Sequence, residues 1–380
     1  MTSDPASEGC ARSATAAMDR IGADETFVED LGFARVLGRP LDRGHGLPVV
    51  HGWLRQGTRS GEFAMVARDG ERWVATRDAA GTRALYVATS GKWIASDHRF
   101  FPNDAFSLVR PGSTYDFQAR RARGRRSPKR TFEGTFTEAG RELASILDKA
   151  VEDRVTGISK VGVAFSGGLD SSLLVHCAKK RAKVFACSVH ASSSLDSACA
   201  PKAAEALGVD LLEEVVTPEE VKRELRAIDL PFPPSRMDRS LWCIFSKASR
   251  LASEEGAKLV LLGQLADELF GGYMKYERAV EEEGERVAGR LMKEDMAACA
   301  SKGFVRDEAA CSRWIEPRFP FADERILELG RKLPVEFKIR GGVRKAVLRE
   351  AARSLGLPAE LVEAPKKAAQ YSSGVQRILE

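Results

Sequence analysis

Val161-Gly-Val-Ala-Phe-Ser-Gly-Gly-Leu-Asp-Ser-Ser172 is an apolar run that passes into two glycines and then into hydroxyl and carboxylate side chains. This pattern predicts a buried β-strand, a sharp turn and the first turn of an α-helix. Glycines allow the turn, and free N–H groups at a helix N-terminus attract anions. The stretch therefore predicts a phosphate-binding turn. The alternative is an ordinary strand-to-helix turn with Ser and Asp caps.

The polar residues of this turn indicate a magnesium-dependent phosphate site. Ser166 and Ser171 supply hydroxyl donors beside Gly167 and Gly168. A carboxylate at Asp170 would repel phosphate, so it makes chemical sense as a Mg²⁺ ligand. The spacing differs from the Gly-x-x-x-x-Gly-Lys-Ser/Thr pattern, which excludes the common NTPase loop.

A second stretch, Lys258-Leu-Val-Leu-Leu-Gly-Gln-Leu-Ala-Asp-Glu268, repeats the plan of a buried strand that ends in glycine before an acidic helix start. The carboxyl ends of parallel strands lie at the same edge of a sheet, where ligands bind. We therefore expect Asp170 and Asp267 to reach the same Mg²⁺. The alternative is that the two acids only favour a helix N-terminus.

Strands and helices alternate around these two stretches, which predicts an α/β fold with a doubly wound parallel sheet. The chain becomes mostly helical from about residue 280. Predicted strands are residues 160–165, 183–190, 210–216 and 258–262, and predicted helices are residues 171–180, 196–207 and those from 267 onward.

The N-terminal part of the chain has a different pattern, with short apolar runs separated by turn dipeptides such as Asp69-Gly70. Such runs are typical of a β-meander or β-sandwich. At 380 residues the chain is long enough for two or three domains. We predict a β-rich domain over residues 1–118, a basic linker over residues 119–131 and an α/β domain over residues 132–380.

The net charge of +5 comes from one segment, because Arg120 to Arg130 contains seven basic residues and no acidic one. We interpret this segment mainly as a solvated linker, and nucleic-acid contact is the alternative. The seven cysteines form no Cys-x-x-Cys pair, which is typical of reduced thiols in a cytoplasmic protein. The N-terminus carries no signal-peptide pattern, and no apolar run is long enough to span a membrane.

Several ordered motifs resemble the asparagine synthetase family, whose synthetase domain is an ATP pyrophosphatase with an adenine nucleotide alpha hydrolase-like fold. The Ser-Gly-Gly-x-Asp-Ser turn is the first of them. The resemblance covers about residues 130–370. The other motifs are Asp238-Arg-Ser-Leu-Trp-Cys-Ile-Phe-Ser-Lys-Ala-Ser-Arg250, Glu316-Pro-Arg-Phe-Pro-Phe-Ala-Asp323 and Leu333-Pro-Val-Glu-Phe-Lys-Ile-Arg-Gly-Gly-Val-Arg-Lys-Ala-Val-Leu-Arg-Glu-Ala351.

The resemblance implies an ATP- and Mg²⁺-dependent site. In the family's reaction a carboxylate becomes an acyl-adenylate, and an amine then displaces AMP. Lys345 matches the lysine that neutralises the departing pyrophosphate. Asp170 and Asp267 match the metal-binding acids, and Phe165, Val189 and Gly263 match positions near the adenosine. The residues implied to hold the phosphates are Ser166, Gly167, Gly168, Asp170 and Ser171.

The N-terminal region resembles the glutaminase domain of the same family through Arg77-Asp78-Ala-Ala-Gly-Thr-Arg-Ala-Leu-Tyr86. The family's glutaminase needs a cysteine directly after the initiator Met, and here that residue is Thr2. The resemblance therefore implies a degenerate domain without glutaminase activity. Free ammonia then becomes the expected amine donor.

A second departure is Gln264, which stands where the family commonly has Glu. Glutamine cannot take up a proton, so the acceptor pocket is expected to differ and the substrate is aspartate or an analogue. Candidate catalytic residues are Lys345, Asp267 and Gln264. The leading prediction is an AMP-forming amide ligase. The alternatives are an RNA-modifying enzyme that adenylates a base and a non-catalytic nucleotide-binding regulator. The sequence leaves a homodimer open.

Overall fold

The computed structural model describes residues 27–30, 35–38, 49–55, 60–70, 72–90, 93–101, 105–124, 131–364 and 372–379. Within it the chain divides into two compact units, Met1–Ser127 and Pro128–Glu380. Thr2 and residues 125–130 of the basic segment lie outside the described residues. No helix in the described ranges is long and apolar enough to cross a membrane.

The N-terminal unit is a sandwich of two five-stranded sheets, which resolves the choice between meander and sandwich. The sheets have strand orders β1-β2-β7-β6-β8 and β10-β9-β5-β4-β3. Side chains from both sheets share one core, as Ala64 and Val66 do with Val87 and Ile94. The strands are β1 Phe27–Asp30, β2 Arg35–Gly38, β3 Val49–Leu54, β4 Gly61–Asp69, β5 Arg72–Arg77, β6 Tyr86–Ala88, β7 Trp93–Ala95, β8 Phe106–Leu108, β9 Ser113–Asp116 and β10 Arg121–Gly124.

Strand β10 lies in the segment that the sequence predicts as linker. It pairs antiparallel with β9 at one edge of the second sheet. All four of its residues are exposed, so the usual alternation of apolar and polar side chains is absent. Part of the predicted linker is therefore an edge strand that hydropathy could not indicate.

The second unit is built on a five-stranded parallel sheet, as the alternating sequence pattern predicts. Its strand order is β13-β12-β11-β14-β15. The chain places β12 and β13 on one side of β11, and then β14 and β15 on the other side. The topological switch point thus lies between β11 and β14. The strands are β11 Lys160–Ala164, β12 Lys183–His190, β13 Asp210–Val215, β14 Leu259–Leu261 and β15 Glu316–Arg318, with a separate hairpin of β16 Ile339–Arg340 and β17 Val343–Arg344.

Helices cover this sheet and form the C-terminal part. The first helix begins with a capping box, in which Thr135 and Glu138 satisfy each other's backbone N–H groups. A π-helical turn, Cys299–Gly303, joins α8 to α9. The helices are α1 Phe136–Val155, α2 Leu169–Ala178, α3 Leu195–Leu207, α4 Pro218–Leu225, α5 Arg236–Glu254, α6 Ala266–Phe270, α7 Met274–Glu283, α8 Glu285–Ala298, α9 Phe304–Cys311, α10 Glu324–Lys332, α11 Val335–Lys338, α12 Ala346–Leu355, α13 Ala359–Val362 and α14 Val375–Ile378.

Candidate active site

The turn between β11 and α2 forms a glycine-lined cradle, residues 165–168. Gly167 has a φ of +71°, a conformation that favours glycine. A Cβ atom at Gly167 would lie 2.8 Å from the carbonyl oxygen of Cys199. Both observations require glycine at this position, because a side chain would strain the backbone and collide with helix α3.

Hydroxyl groups line the cradle, which continues into the N-terminus of helix α2. Ser171 Oγ donates to the carbonyl oxygen of Gly168 at 3.2 Å, and Ser166 Oγ accepts from the Gly168 N–H at 3.4 Å. No side chain of the described residues caps helix α2, whose N-cap is Gly168. The first N–H groups of the helix are therefore available to an anion.

The second turn, after β14, touches the first one. A Cβ atom at Gly263 would lie 3.2 Å from the Cβ of Asp170, so glycine lets the two turns approach each other. Leu265 then adopts a left-handed conformation with φ +76°, directly before helix α6. This tight turn brings Asp267 to the edge of the sheet that also carries Asp170.

Lys345 joins the two aspartates. Its Nζ lies 2.6 Å from Asp170 Oδ1 and 2.6 Å from Asp267 Oδ1. The lysine is only 1% exposed and precedes helix α12 in a left-handed conformation with φ +57°. An ammonium group in this position offsets the repulsion between two neighbouring carboxylates.

Ten of the eleven residues that the sequence predicts for the site line one cavity of about 440 Å³. The exception is Gly167, whose tight turn shapes the cradle behind this surface. The ten are Phe165, Ser166, Gly168, Asp170, Ser171, Val189, Gly263, Gln264, Asp267 and Lys345. The individual roles of these residues stay predictions.

Comparison with known proteins identifies the family. A family model described as asparagine synthase matches residues 142–304 and 282–379, which is more than half of the chain. The chain belongs to the asparagine synthase family. Its motifs and its parallel sheet therefore agree with the resemblance drawn from the sequence.

Individual relatives carry the same family name. A putative glutamine-hydrolyzing asparagine synthetase 1 of Methanocaldococcus jannaschii is 32% identical over 284 residues, which are 65% of this chain and 52% of that protein. The glutamine-hydrolyzing asparagine synthetase of Asparagus officinalis is 28% identical over 361 residues, covering 83% of this chain and 58% of that protein. The chain thus spans little more than half the length of these relatives.

A distant likeness exists among solved structures. The NMN synthetase of Francisella tularensis matches with a TM-score of 0.32 and 12% identity, over 63% of this chain and 78% of that one. A similarity at this level supports no statement about activity.

The donor set at the two strand ends fits a magnesium ion that is bound together with a nucleotide. Asp170 Oδ1 and Asp267 Oδ1 each lie 2.6 Å from Lys345 Nζ, so the distance between these two oxygens cannot exceed twice that value. Mg²⁺ in nucleotide sites takes one or two carboxylates and completes its shell with phosphates and water. Among the described residues, no group of three or more His, Cys, Asp or Glu side chains could hold a metal by itself.

Gly272 leaves room for the ion-paired cluster, which consists of Lys345, Asp170 and Asp267. The sequence did not reveal this role. A Cβ atom there would lie 1.8 Å from Asp267 Oδ1 and 2.5 Å from Lys345 Cε. Glycine at this position lets the backbone press against both side chains. The signal was present as the Gly271-Gly272 pair after helix α6, but its purpose depends on Lys345, which is distant in sequence.

Glu268 is a further carboxyl group that lines the cavity, and it is buried. The Tyr273 hydroxyl donates to Glu268 Oε1 at 2.7 Å. Burial raises the pKa of Glu268 to about 7, and the neighbouring Asp267 carboxylate adds to the effect. The sequence prediction gave this glutamate only a helix-starting role.

Arg349 fixes the backbone beside the cavity, and the sequence prediction did not include it. One turn after Lys345 on α12, its guanidinium donates to the carbonyl oxygens of Arg344 and Ala364, each at 3.1 Å. A further bond reaches the carbonyl oxygen of Val362. Arg349 thereby ties the start of α12 to the segment that follows α13.

Proposed function

We propose that this chain is an ATP-dependent amide ligase that activates a carboxylate as an acyl-adenylate and transfers the acyl group to ammonia. The observation that supports this most is the contact of Lys345 Nζ with Asp170 and Asp267 at the carboxyl ends of β11 and β14. A compact point charge next to a glycine-lined cradle suits a triphosphate whose terminal part must leave.

In the first step, an oxygen of the acceptor carboxylate attacks the α-phosphorus of ATP. The bond from that phosphorus to the bridging oxygen breaks, and pyrophosphate leaves with the bonding electrons. Negative charge grows on the leaving group, and Lys345 would stabilise it. Asp170 and Asp267 would hold Mg²⁺, which when bound supplies further positive charge to the phosphate oxygens.

In the second step, ammonia attacks the acyl carbon, the bond to AMP breaks, and the nitrogen gives up one proton to water. Gln264 lines the cavity and its Nε2 donates to Cys299 Sγ at 3.5 Å. An amide cannot accept the proton, so Gln264 would orient the acyl group and not act as a base. Ammonia as the amine donor is itself part of the proposal.

The direct test is ATP–pyrophosphate exchange by the full chain across a panel of carboxylates, with aspartate included. We expect exchange that depends on one class of carboxylate, and amide plus AMP when ammonium is added. The same assay with glutamine should yield no glutamate. Formation of ADP in place of AMP, or exchange without any carboxylate, would contradict the proposal.

A second candidate is base adenylation on RNA, and one observation favours it. Arg121 and Arg123 are exposed on the edge strand β10, in the N-terminal unit. Adding transfer RNA to the exchange panel separates the two candidates. RNA-dependent exchange that falls steeply with salt, and in an Arg121→Ala/Arg123→Ala variant, would favour the RNA enzyme.

A further inference from the structure

A second set of cavity-lining residues comes from α5, the π-helical turn and α9, which contribute nothing to the cradle. We call Asp238, Lys302 and Arg306, together with Gln264, the acceptor wall. The π-helical turn packs closely against the side-chain amide of Gln264, because a Cβ atom at Gly303 would lie 3.0 Å from Gln264 Nε2. The side chain of Gln264 is thus held in place by the π-helical turn.

Two of the carboxylates that line the cavity, Asp238 and Asp295, are already engaged by cations of the chain, and Glu268 accepts from the Tyr273 hydroxyl. Asp238 Oδ1 accepts from Arg306 Nη1 at 2.8 Å, and its Oδ2 accepts from the Ser235 hydroxyl at 2.6 Å. Asp295, which also lines the cavity, pairs with Lys275 at 2.6 Å. An ammonium group on a ligand would have to displace Arg306 or Lys275 from these two carboxylates, or share Glu268 with Tyr273, and displacing an internal partner costs binding energy.

Arg306 has an unused hydrogen-bond donor at the same place, although it pairs with both Asp238 and Asp307. Arg306 is 2% exposed, and its Nη2 has no hydrogen-bond partner among the described residues. Nη2 lies 2.7 Å from Asp307 Oδ1, but that oxygen already accepts from Arg306 Nε at 2.8 Å. Since Nη2 carries two hydrogens, at least one is left without an acceptor among the described residues.

Lys302 provides the second donor. Its side chain has no carboxylate within ion-pair distance in the part of the chain that the structure describes, and its Nζ lies 5.6 Å from the centroid of the Phe232 ring. Lys302 and Arg306 both face the cavity, four residues apart. A buried guanidinium with a spare N–H group, a nearby ammonium and a neutral amide are a donor set for a carboxylate.

Resting on the proposed function, we infer that the acceptor is a dicarboxylic acid without an ammonium group, whose second carboxylate binds to Arg306 and Lys302. One carboxylate reacts with ATP and the other anchors the molecule. Succinate represents this class. Aspartate carries the same two carboxylates with an added ammonium, for which the wall offers no unengaged acid among the described residues.

The first experiment compares kcat/KM for ATP–pyrophosphate exchange with succinate, aspartate, β-alanine and propionate. We expect succinate to exceed β-alanine and propionate by about tenfold or more, as the loss of a charge-assisted hydrogen bond would cause. Succinate should also exceed aspartate. A higher kcat/KM for aspartate or β-alanine than for succinate would overturn the inference.

Two variants test the wall itself. Lys302→Ala should raise KM for succinate about tenfold and leave KM for ATP unchanged. The control is Lys293→Ala, an exposed lysine on α8 that does not line the cavity. Gln264→Glu should shift the preference toward aspartate, because it adds a carboxylate that an ammonium can meet. The inference fails if Lys302→Ala binds succinate as the wild type does.

Absence of exchange with every carboxylate would count against the proposed function, so binding is measured separately. Isothermal titration of succinate and of β-alanine uses the full chain with Mg²⁺ and a non-hydrolysable ATP analogue. Preferential binding of succinate would support the acceptor wall even then. Equal or tighter binding of β-alanine would overturn it, whatever the exchange assay gives.

Discussion

Lys345 has a φ of +57°, a left-handed backbone conformation that residues other than glycine rarely adopt. This conformation costs about 1–2 kcal/mol for an L-residue. The surrounding structure retains it because the side chain enters a buried position between Asp170 and Asp267. Strain of this kind collects at functional sites, which agrees with the role proposed for the ammonium group.

Replacing the ammonium should abolish the reaction. For Lys345→Met, which keeps an apolar stem, we expect exchange to fall by about 100-fold or more, since a preorganised charge at a leaving group has an effect of that size. The control is Lys338→Met, another buried lysine of this region that does not line the cavity. If Lys345→Met folds normally and keeps the wild-type rate, the assignment is wrong.

Lys338 also gives a prediction for pH. Burial lowers its pKa to about 8, and Lys293 nearby adds to the effect. Between that value and the ordinary pKa of lysine, the unfolded chain binds more protons than the folded chain, so stability rises with pH. Urea unfolding at pH 7.5 and pH 10 should therefore show a change in the free energy of unfolding that is more positive in the wild type than in Lys338→Met. The buried cysteines, such as Cys177 with its raised pKa, titrate in the same range but are common to both proteins. An equal change in both proteins would reject this reading.

Gly272 can be tested by adding one methyl group. Gly272→Ala would place a carbon 1.8 Å from Asp267 Oδ1, so the ion-paired cluster must shift. We expect a loss of about 1–3 kcal/mol in the free energy of unfolding and a strong loss of exchange. Gly289→Ala on α8 is the control, because its new atom would meet Val335 at 3.4 Å, an ordinary contact. Equal behaviour of the two variants would show that the close approach is unimportant.

At the scale of elements, α1 depends on its N-terminal cap. Thr135 Oγ1 accepts from the Glu138 N–H at 3.2 Å, and Glu138 Oε2 accepts from the Thr135 N–H at 2.7 Å. Thr135→Ala should lower the free energy of unfolding by about 1 kcal/mol. Thr137→Ala, at an exposed position inside the same helix, should change it little or raise it slightly. Urea denaturation of both variants measures the difference.

The elements that local patterns specify could be predicted from the sequence. The apolar runs predict β11, β12, β13 and β14 within one or two residues of their observed ends. Strand β15 was not predicted, because it is three residues long and contains Pro317. A proline can occupy such a strand at the edge of the sheet, which is decided by the fold and not by the local pattern.

The candidate site was predictable where a motif carries its own chemistry. The cradle residues and Lys345 were found from motifs, and the cavity contains all of them except Gly167. Gly272 and Arg306 were missed because each acts through a partner that is distant in sequence, Lys345 for the first and Asp238 for the second. Such pairings arise only when the tertiary structure forms.

At the scale of the whole molecule, the two units contribute different residues to the two candidate functions. The parallel sheet and its helices carry every residue of the proposed ATP site, and the sandwich carries the exposed arginines of β10. The family match extends over residues 142–379, inside the second unit. The proposed ligase activity therefore depends on the second unit.

The central claim is that magnesium and ATP bind together at the ends of β11 and β14. Its most direct test is isothermal titration of ATP with and without Mg²⁺, in the wild type, in Asp170→Asn and in the control Asp148→Asn, whose surface partner is Arg181. Mg²⁺ should tighten ATP binding strongly in the wild type and the control, and only slightly in Asp170→Asn. A full magnesium effect in Asp170→Asn would contradict the account.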